Sequence, residues 1–157
     1  YNAISYAWGK RSELTKISVD NKTMEVTQNC KDALEQAVRF NRDAWYWIDS
    51  VCIDQNNLGE KGHQVTRMHQ IYRNAQYVLA CVGQHADDSE NLFRFIQDNQ
   101  DALPCFRFLK HDNPTEWPLL IWREVPTNSE TPTTLHDQLA KFVERPYFYR
   151  LWVYQEL

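Results

Sequence analysis

Apolar residues dominate the opening stretch from Tyr1 to Trp8 (YNAISYAW), which predicts a strand at the start of the chain. Leu14, Ile17 and Val19, then Met24 and Val26, alternate with polar neighbours around Asp20, Asn21 and Lys22. That is the pattern of a β-hairpin with a polar turn, expected to stand as an edge ribbon. The period then changes. Cys30, Ala33, Leu34, Ala37 and Val38 recur at i, i+3, i+4, i+7 and i+8, predicting a helix from Cys30 to Arg42 with Asn29 as its N-cap.

From Ala44 to Ile53 (AWYWIDSVCI) the chain is apolar apart from Asp49 and Ser50, as expected of a central strand covered on both faces. The polar cluster Asp54, Gln55, Asn56 and Asn57 would follow at its carboxyl end. Val65, Met68, Ile71, Tyr72 and Ala75 are spaced for a helix over Glu60 to Asn74, and Gln76 to Gly83 (QYVLACVG) reads as a second buried strand. Strand, helix, strand is a βαβ unit, with a right-handed crossover expected. Helices are predicted over Ser89–Asn99 and Leu135–Glu144, separated by the proline-dotted stretch Pro104–Pro132, which predicts no element. Pro146 breaks the last helix before Tyr147–Tyr154 returns as a strand or a strand-to-helix joint. The whole predicts one α/β domain over residues 1–157, three-layered, with a mostly parallel central sheet and an added β-hairpin near the N-terminus.

Composition narrows the function classes. At 157 residues and 43% hydrophobic, the chain suits a single domain with one core, and 13% aromatic residues set it apart from a disordered segment. A net charge of −4, with 17 Lys and Arg scattered along the chain, argues against a nucleic-acid footprint. No apolar run approaches the roughly 20 residues of a membrane span, and Tyr1–Lys10 lacks the layout of a signal peptide. Cys30, Cys52, Cys81 and Cys105 form no CxxC pair, and three of them sit in apolar stretches, so reduced core thiols and a cytoplasmic location are expected. The abrupt strand at Tyr1 and the closure at Leu157 suggest a domain excised from something longer.

Three stretches carry a family likeness: YNAISYAWG (Tyr1–Gly9); WIDSVCIDQ (Trp47–Gln55) with the following Glu60, Gln64, Met68, Ile71, Tyr72 and Ala75; and RPYFYRLWVYQE (Arg145–Glu156). In content, order and spacing they resemble the fungal heterokaryon-incompatibility (HET) domain across almost the whole chain. The short hairpin after YNAISYAWGK leaves little room for the insertions many members carry, which affects surface decoration. The resemblance implies a cytosolic effector of non-self recognition, usually fused to sensor or repeat domains, whose activation kills the cell. Its implied partners are copies of itself or other death-signalling domains.

A second likeness bears on chemistry. YNAISYAWG is similar to the opening strand of TIR domains, and Trp152, Val153, Tyr154, Gln155, Glu156 and Leu157 are similar to the TIR run of Trp, Cys, two variable residues, Glu and Leu, with Val153 in place of the Cys. This implies a flavodoxin/TIR-like sheet. In enzymatic TIR domains that glutamate cleaves NAD, so Glu156 is the implied catalytic residue and NAD a substrate, with no bound cofactor.

Cleaving nicotinamide from ribose develops positive charge on the sugar, which a nearby carboxylate stabilises. In open α/β sheets ligands bind outside the carboxyl ends of the strands, where Ser5–Gly9, Asp49–Gln55 and Trp152–Glu156 are expected to converge. The candidate substrate-binding residues are Ser5, Tyr6, Trp8, Gly9, Lys10, Asp49, Asp54, Gln55 and Trp152. Trp8 offers a stacking face, Gly9 permits close backbone approach, and Lys10 or Arg11 would neutralise a pyrophosphate. Plainer roles compete. Asp49, inside an apolar run, must be hydrogen-bonded or paired, with Arg73 or Arg150 as candidates. Asp54 suits an Asx turn, Trp8, Trp152 and Tyr6 suit packing, and Glu156 suits a helix start. Cys52 has no His in its motif and apolar neighbours, and His63 and His69 fall on different helix faces without a CxxC or HExxH, so neither a thiol nucleophile nor a metal site is expected. The competing class of function is a non-catalytic assembly module that uses exposed aromatics of Pro104–Trp122 as its contact surface.

Overall fold

The computed structural model describes residues 1–98 and 135–150. The chain divides into two compact units, Tyr1–Gln84 together with Arg145–Leu157, and His85–Glu144.

The first unit is built on a parallel three-stranded sheet with β1 (Asn2–Tyr6) at its centre. On one side lies β4 (Tyr46–Trp47), in register Asn2↔Tyr46 and Ala3↔Trp47. On the other lies β5 (Val78–Cys81), running from Ala3↔Val78 to Tyr6↔Cys81. Every residue of β1 is buried, as a strand paired on both edges and covered on both faces requires. Ile4 and Tyr6 pack with Cys30, Ala33 and Ala37 of α1 (Gln28–Phe40), whereas Ala3 packs with Met68 and Tyr72 of α3 (Leu58–Asn74). Because neighbouring strand residues point to opposite faces, the two helices cover opposite sides of the sheet. The α3 side is locked by Tyr72, whose hydroxyl donates to Ile4 O at 3.1 Å and whose ring meets Trp47 edge-on at 5.5 Å.

The predicted hairpin forms as β2 (Leu14–Val19) and β3 (Lys22–Thr27), a separate antiparallel pair. Asp20 and Asn21 make its two-residue turn with φ of 49° and 61°, the left-handed conformation a tight hairpin demands and that Asp and Asn tolerate. The α3 helix is capped by Asn57, whose Oδ1 accepts from Glu60 N at 3.1 Å, while Glu60 Oε1 reaches back to accept from Asp54 N at 3.2 Å.

Three expectations, for β4, α1 and β5, are corrected. The apolar run Ala44–Ile53 is not a long central strand: only Tyr46–Trp47 pairs, at the side of β1, and Asp49–Cys52 turns into a single helical turn, α2. The buried Asp49 drives this, since its Oδ1 accepts from Ser50 N at 2.7 Å, a local bond that competes with strand pairing. The α1 helix starts two residues early because Thr27, not Asn29, is its N-cap, with Oγ1 accepting from Cys30 N at 3.3 Å. Asn29 instead donates Nδ2 to Ala7 O at 3.0 Å. Finally, β5 is shorter than expected and only partly buried, with Ala80 exposed.

The second unit contains α4 (Ser89–Asp98) and α5 (Leu135–Val143). They pack through buried Leu92 and Leu135 and an edge-on contact of Phe93 with Phe142 at 5.2 Å. In the first unit, the chain after Arg145 forms a 3₁₀ turn over Pro146–Tyr149 where a strand or joint was expected. Pro104–Pro132, Cys105, Trp152 and Glu156 lie outside the described residues. Among the described residues no helix is long and apolar enough to cross a membrane.

Candidate functional site

Parallel pairing places the carboxyl ends of β1, β4 and β5 on one side of the sheet. There, within the first unit, opens a cleft of about 770 Å³. The chain leaving β1 supplies Ala7, Trp8, Gly9, Lys10 and Glu13, and Asn29 adds its side from α1. The chain leaving β4 supplies Asp49, Ile53 and Gln55, α3 supplies Lys61, Val65 and Met68, and the segment around the 3₁₀ turn supplies Pro146 and Arg150.

Trp8 and Asp49 form the polar centre of this lining. Trp8 Nε1 donates to Asp49 Oδ2 at 2.8 Å, and Gln55 Nε2 donates to the Asp49 main-chain carbonyl at 3.0 Å. With Ser50 N on its other oxygen, Asp49 is held in place although only 9% of it is exposed. A buried carboxylate tolerates that position because charge-assisted hydrogen bonds replace its hydration. Gln55 Oε1 is buried with no hydrogen-bond partner among the described residues. Gly9 has φ of +74°, and a Cβ there would lie 2.8 Å from Asn29 Nδ2. Its lack of a side chain therefore admits Asn29, and with it the bond to Ala7 that shapes the loop. Lys10 pairs with Glu13 at 3.4 Å, and the Arg11 guanidinium sits 6.0 Å from the Trp8 ring centroid.

A second layer lies behind the lining. Ser5 Oγ, fully buried in β1, is 2.8 Å from the Tyr147 hydroxyl and accepts from Arg150 Nη1 at 3.5 Å. The Arg150 guanidinium lies over the Tyr147 ring, 5.8 Å from its centroid. Burial, reinforced by the negative charge of Asp49, raises the Tyr6 hydroxyl far above its ordinary pKa, so it stays protonated. Cys30 Sγ contacts Ser50 Oγ at 3.0 Å, and burial raises its thiol pKa as well. Burial pushes the half-buried Cys81 thiol up to about 11. Cys52 is exposed, a correction to the expected core thiol that follows from the chain turning outward at α2.

Of the residues singled out in the sequence, Trp8, Gly9, Lys10, Asp49 and Gln55 come together around the cleft. Ser5 and Tyr6 lie buried in β1 and are not part of the lining; Ser5 contacts it through Arg150. Asp54 is exposed and outside the lining, its Oδ1 accepting from Asn56 N at 3.0 Å in an Asx turn. Lys61 and Arg150 were not singled out as site residues. Lys61 shares the helical spacing of Val65 and Met68, which is a signal a sequence can carry; Arg150 stands in the third motif with nothing local to mark it. Among the described residues no three His, Cys, Asp or Glu side chains gather as a metal site would need.

Fold and cleft together define an α/β domain with a ligand-sized crevice outside the carboxyl ends of its parallel strands. The chain matches the model of the heterokaryon incompatibility protein (HET) family over residues 1–156, and it belongs to that family. Among characterised proteins it is similar to heterokaryon incompatibility protein 6, OR allele, of Neurospora crassa, with 27% identity over 185 residues. That match covers 99% of this chain and 27% of the relative, so the chain spans about a quarter of the length of the protein it resembles. No solved structure matches the chain.

Proposed function

We propose that this chain is a cytoplasmic effector domain of fungal non-self recognition that brings about cell death, and that it does so by cleaving NAD at the nicotinamide–ribose bond. Membership of the HET family and the name of the Neurospora relative support the first part. The second part draws on the sheet. Counting only its own strands, their order is second, first, third, the opening order of flavodoxin-like and TIR-like folds, in which ligands sit outside the carboxyl ends.

The observation that carries the reading is the Trp8–Asp49 pair in the cleft: an indole held by a buried carboxylate, at the end of the central strand. It offers a dinucleotide a fixed aromatic surface beside a polar one. In the reaction, water attacks C1′ of the ribose as the bond to the nicotinamide nitrogen breaks; nicotinamide leaves with the bonding pair, ADP-ribose keeps the hydroxyl, and the water's other proton is released to solvent. The Glu156 carboxylate, assigned from the TIR-like run, would stabilise the positive charge that grows on the sugar.

The test is NAD consumption by the purified domain at high protein concentration or with a crowding agent, beside Glu156→Ala checked for folding by circular dichroism. The expected result is turnover by the parent chain and none by the folded variant. An assembled domain with no turnover would overturn the enzymatic reading and favour action through assembly alone.

A further inference from the structure

We infer that Lys61 and Arg150 form an anion subsite in the cleft, which makes its ligand a phosphorylated nucleoside held by its phosphates at these two residues and not at Lys10 or Arg11. The inference rests on the reading of the cleft as a dinucleotide site and assigns the part of it that binds the phosphates.

Among the described residues the cleft is lined by three cations and two carboxylates, in a chain whose net charge is −4. Lys10 is 79% exposed at its side chain and already engaged by Glu13. Arg11 is outside the lining and lies against the Trp8 ring. Lys61 differs from both. It is half-buried on the face of α3 that also carries Val65 and Met68 into the lining, and among the described residues no carboxylate lies within ion-pair distance of it. A half-buried lysine with no carboxylate beside it among the described residues offers a positive charge that a bound anion would pair with.

Arg150 is oriented by contacts behind it: the Ser5 hydroxyl in the central strand, the Tyr147 ring beneath the guanidinium, and its own backbone N–H donating to Tyr147 O at 3.3 Å. A guanidinium whose orientation is fixed in advance loses little freedom on binding, and its planar fork matches two phosphate oxygens. Gln55 Oε1, buried in the same lining without a partner among the described residues, provides the acceptor that a ribose hydroxyl would fill.

The experiment is isothermal titration calorimetry of the full chain with ADP, adenosine and inorganic pyrophosphate as probes, on the parent and on Lys61→Gln, Arg150→Lys and, as a control outside the lining, Lys16→Gln. ADP should bind at least about tenfold more tightly than adenosine. Lys61→Gln and Arg150→Lys should each weaken ADP by about tenfold and leave adenosine unchanged, Lys61→Gln should also flatten the salt dependence, and Lys16→Gln should behave as the parent. Lys61→Gln decides the matter alone if Arg150→Lys fails to fold. Equal affinities for ADP and adenosine, no ADP binding, or a Lys61→Gln effect no larger than that of Lys16→Gln would overturn the subsite. The two proposals fail separately. Normal ADP behaviour without NAD turnover removes the reaction and keeps the subsite, whereas NAD turnover with an unchanged KM in both variants keeps the reaction and removes the subsite.

Discussion

Trp8 Nε1 donates to Asp49 Oδ2 across 2.8 Å, tying the loop that leaves β1 to the turn that leaves β4. The bond is worth measuring because one partner is a buried charge, and hydrogen bonds to charged groups contribute about 1.5–3 kcal/mol. Asp49→Ala is expected to lower stability by about that amount in urea unfolding, and Trp8→Phe by less. In a double-mutant cycle the two should couple by about 1 kcal/mol or more. Additive losses would mean that the pair is a contact of no energetic consequence.

Gly9→Ala faces two separate costs. Its φ of +74° penalises any Cβ by about 1–2 kcal/mol, and that Cβ would also meet Asn29 Nδ2 at 2.8 Å. Asn29→Ala alone removes only the hydrogen bond to Ala7 O, a loss of about 1 kcal/mol. Combining the two should cost less than the sum, because the steric part disappears with the Asn29 side chain. Thermal melts of the three variants check this, and strict additivity would contradict the packing.

The hairpin, α1, α3 and the strand–helix–strand succession were legible because each rests on periodicity or turn chemistry contained in a few residues. The run Ala44–Ile53 was not, since a continuous apolar stretch cannot tell a strand from a buried helical turn, and only the local bond of Asp49 settles it. Thr27 and Asn29 are both good capping residues. The choice between them was made by Ala7, 22 positions from Asn29. Five site residues were found because they lie in the segments that leave β1 and β4. Lys61 and Arg150 were not, because their place at the cleft depends on how α3 and the 3₁₀ turn pack on β1.

The three described cysteines should react in a clear order. Exposed Cys52 is expected to alkylate with iodoacetamide at pH 8 well before Cys30 or Cys81, whose thiols are protected by burial and by raised pKa values. Peptide mass spectrometry over a time course reads this directly. Fast labelling of Cys30 would contradict its place between α1 and the sheet.

The same burial makes alkaline pH destabilising. The Cys81 thiol goes from 9.0 in the unfolded chain to about 11 in the folded one, so above pH 9 the unfolded state releases its proton first. Stability is therefore whole below about pH 9 and falls as pH rises toward 11, with Cys30 and Tyr6 acting in the same direction. Urea midpoints from pH 8 to 10.5 should fall, and less steeply in Cys81→Ala. A flat profile would contradict the burial of these groups.

The central claim is that death follows from loss of NAD, and it is tested most directly by following NAD content and viability together in fungal cells induced to express the chain, beside folded Glu156→Gln. The expected result is that NAD falls before viability does and that the variant spares both. Cells that die with NAD undiminished, or that die equally with Glu156→Gln, would contradict it.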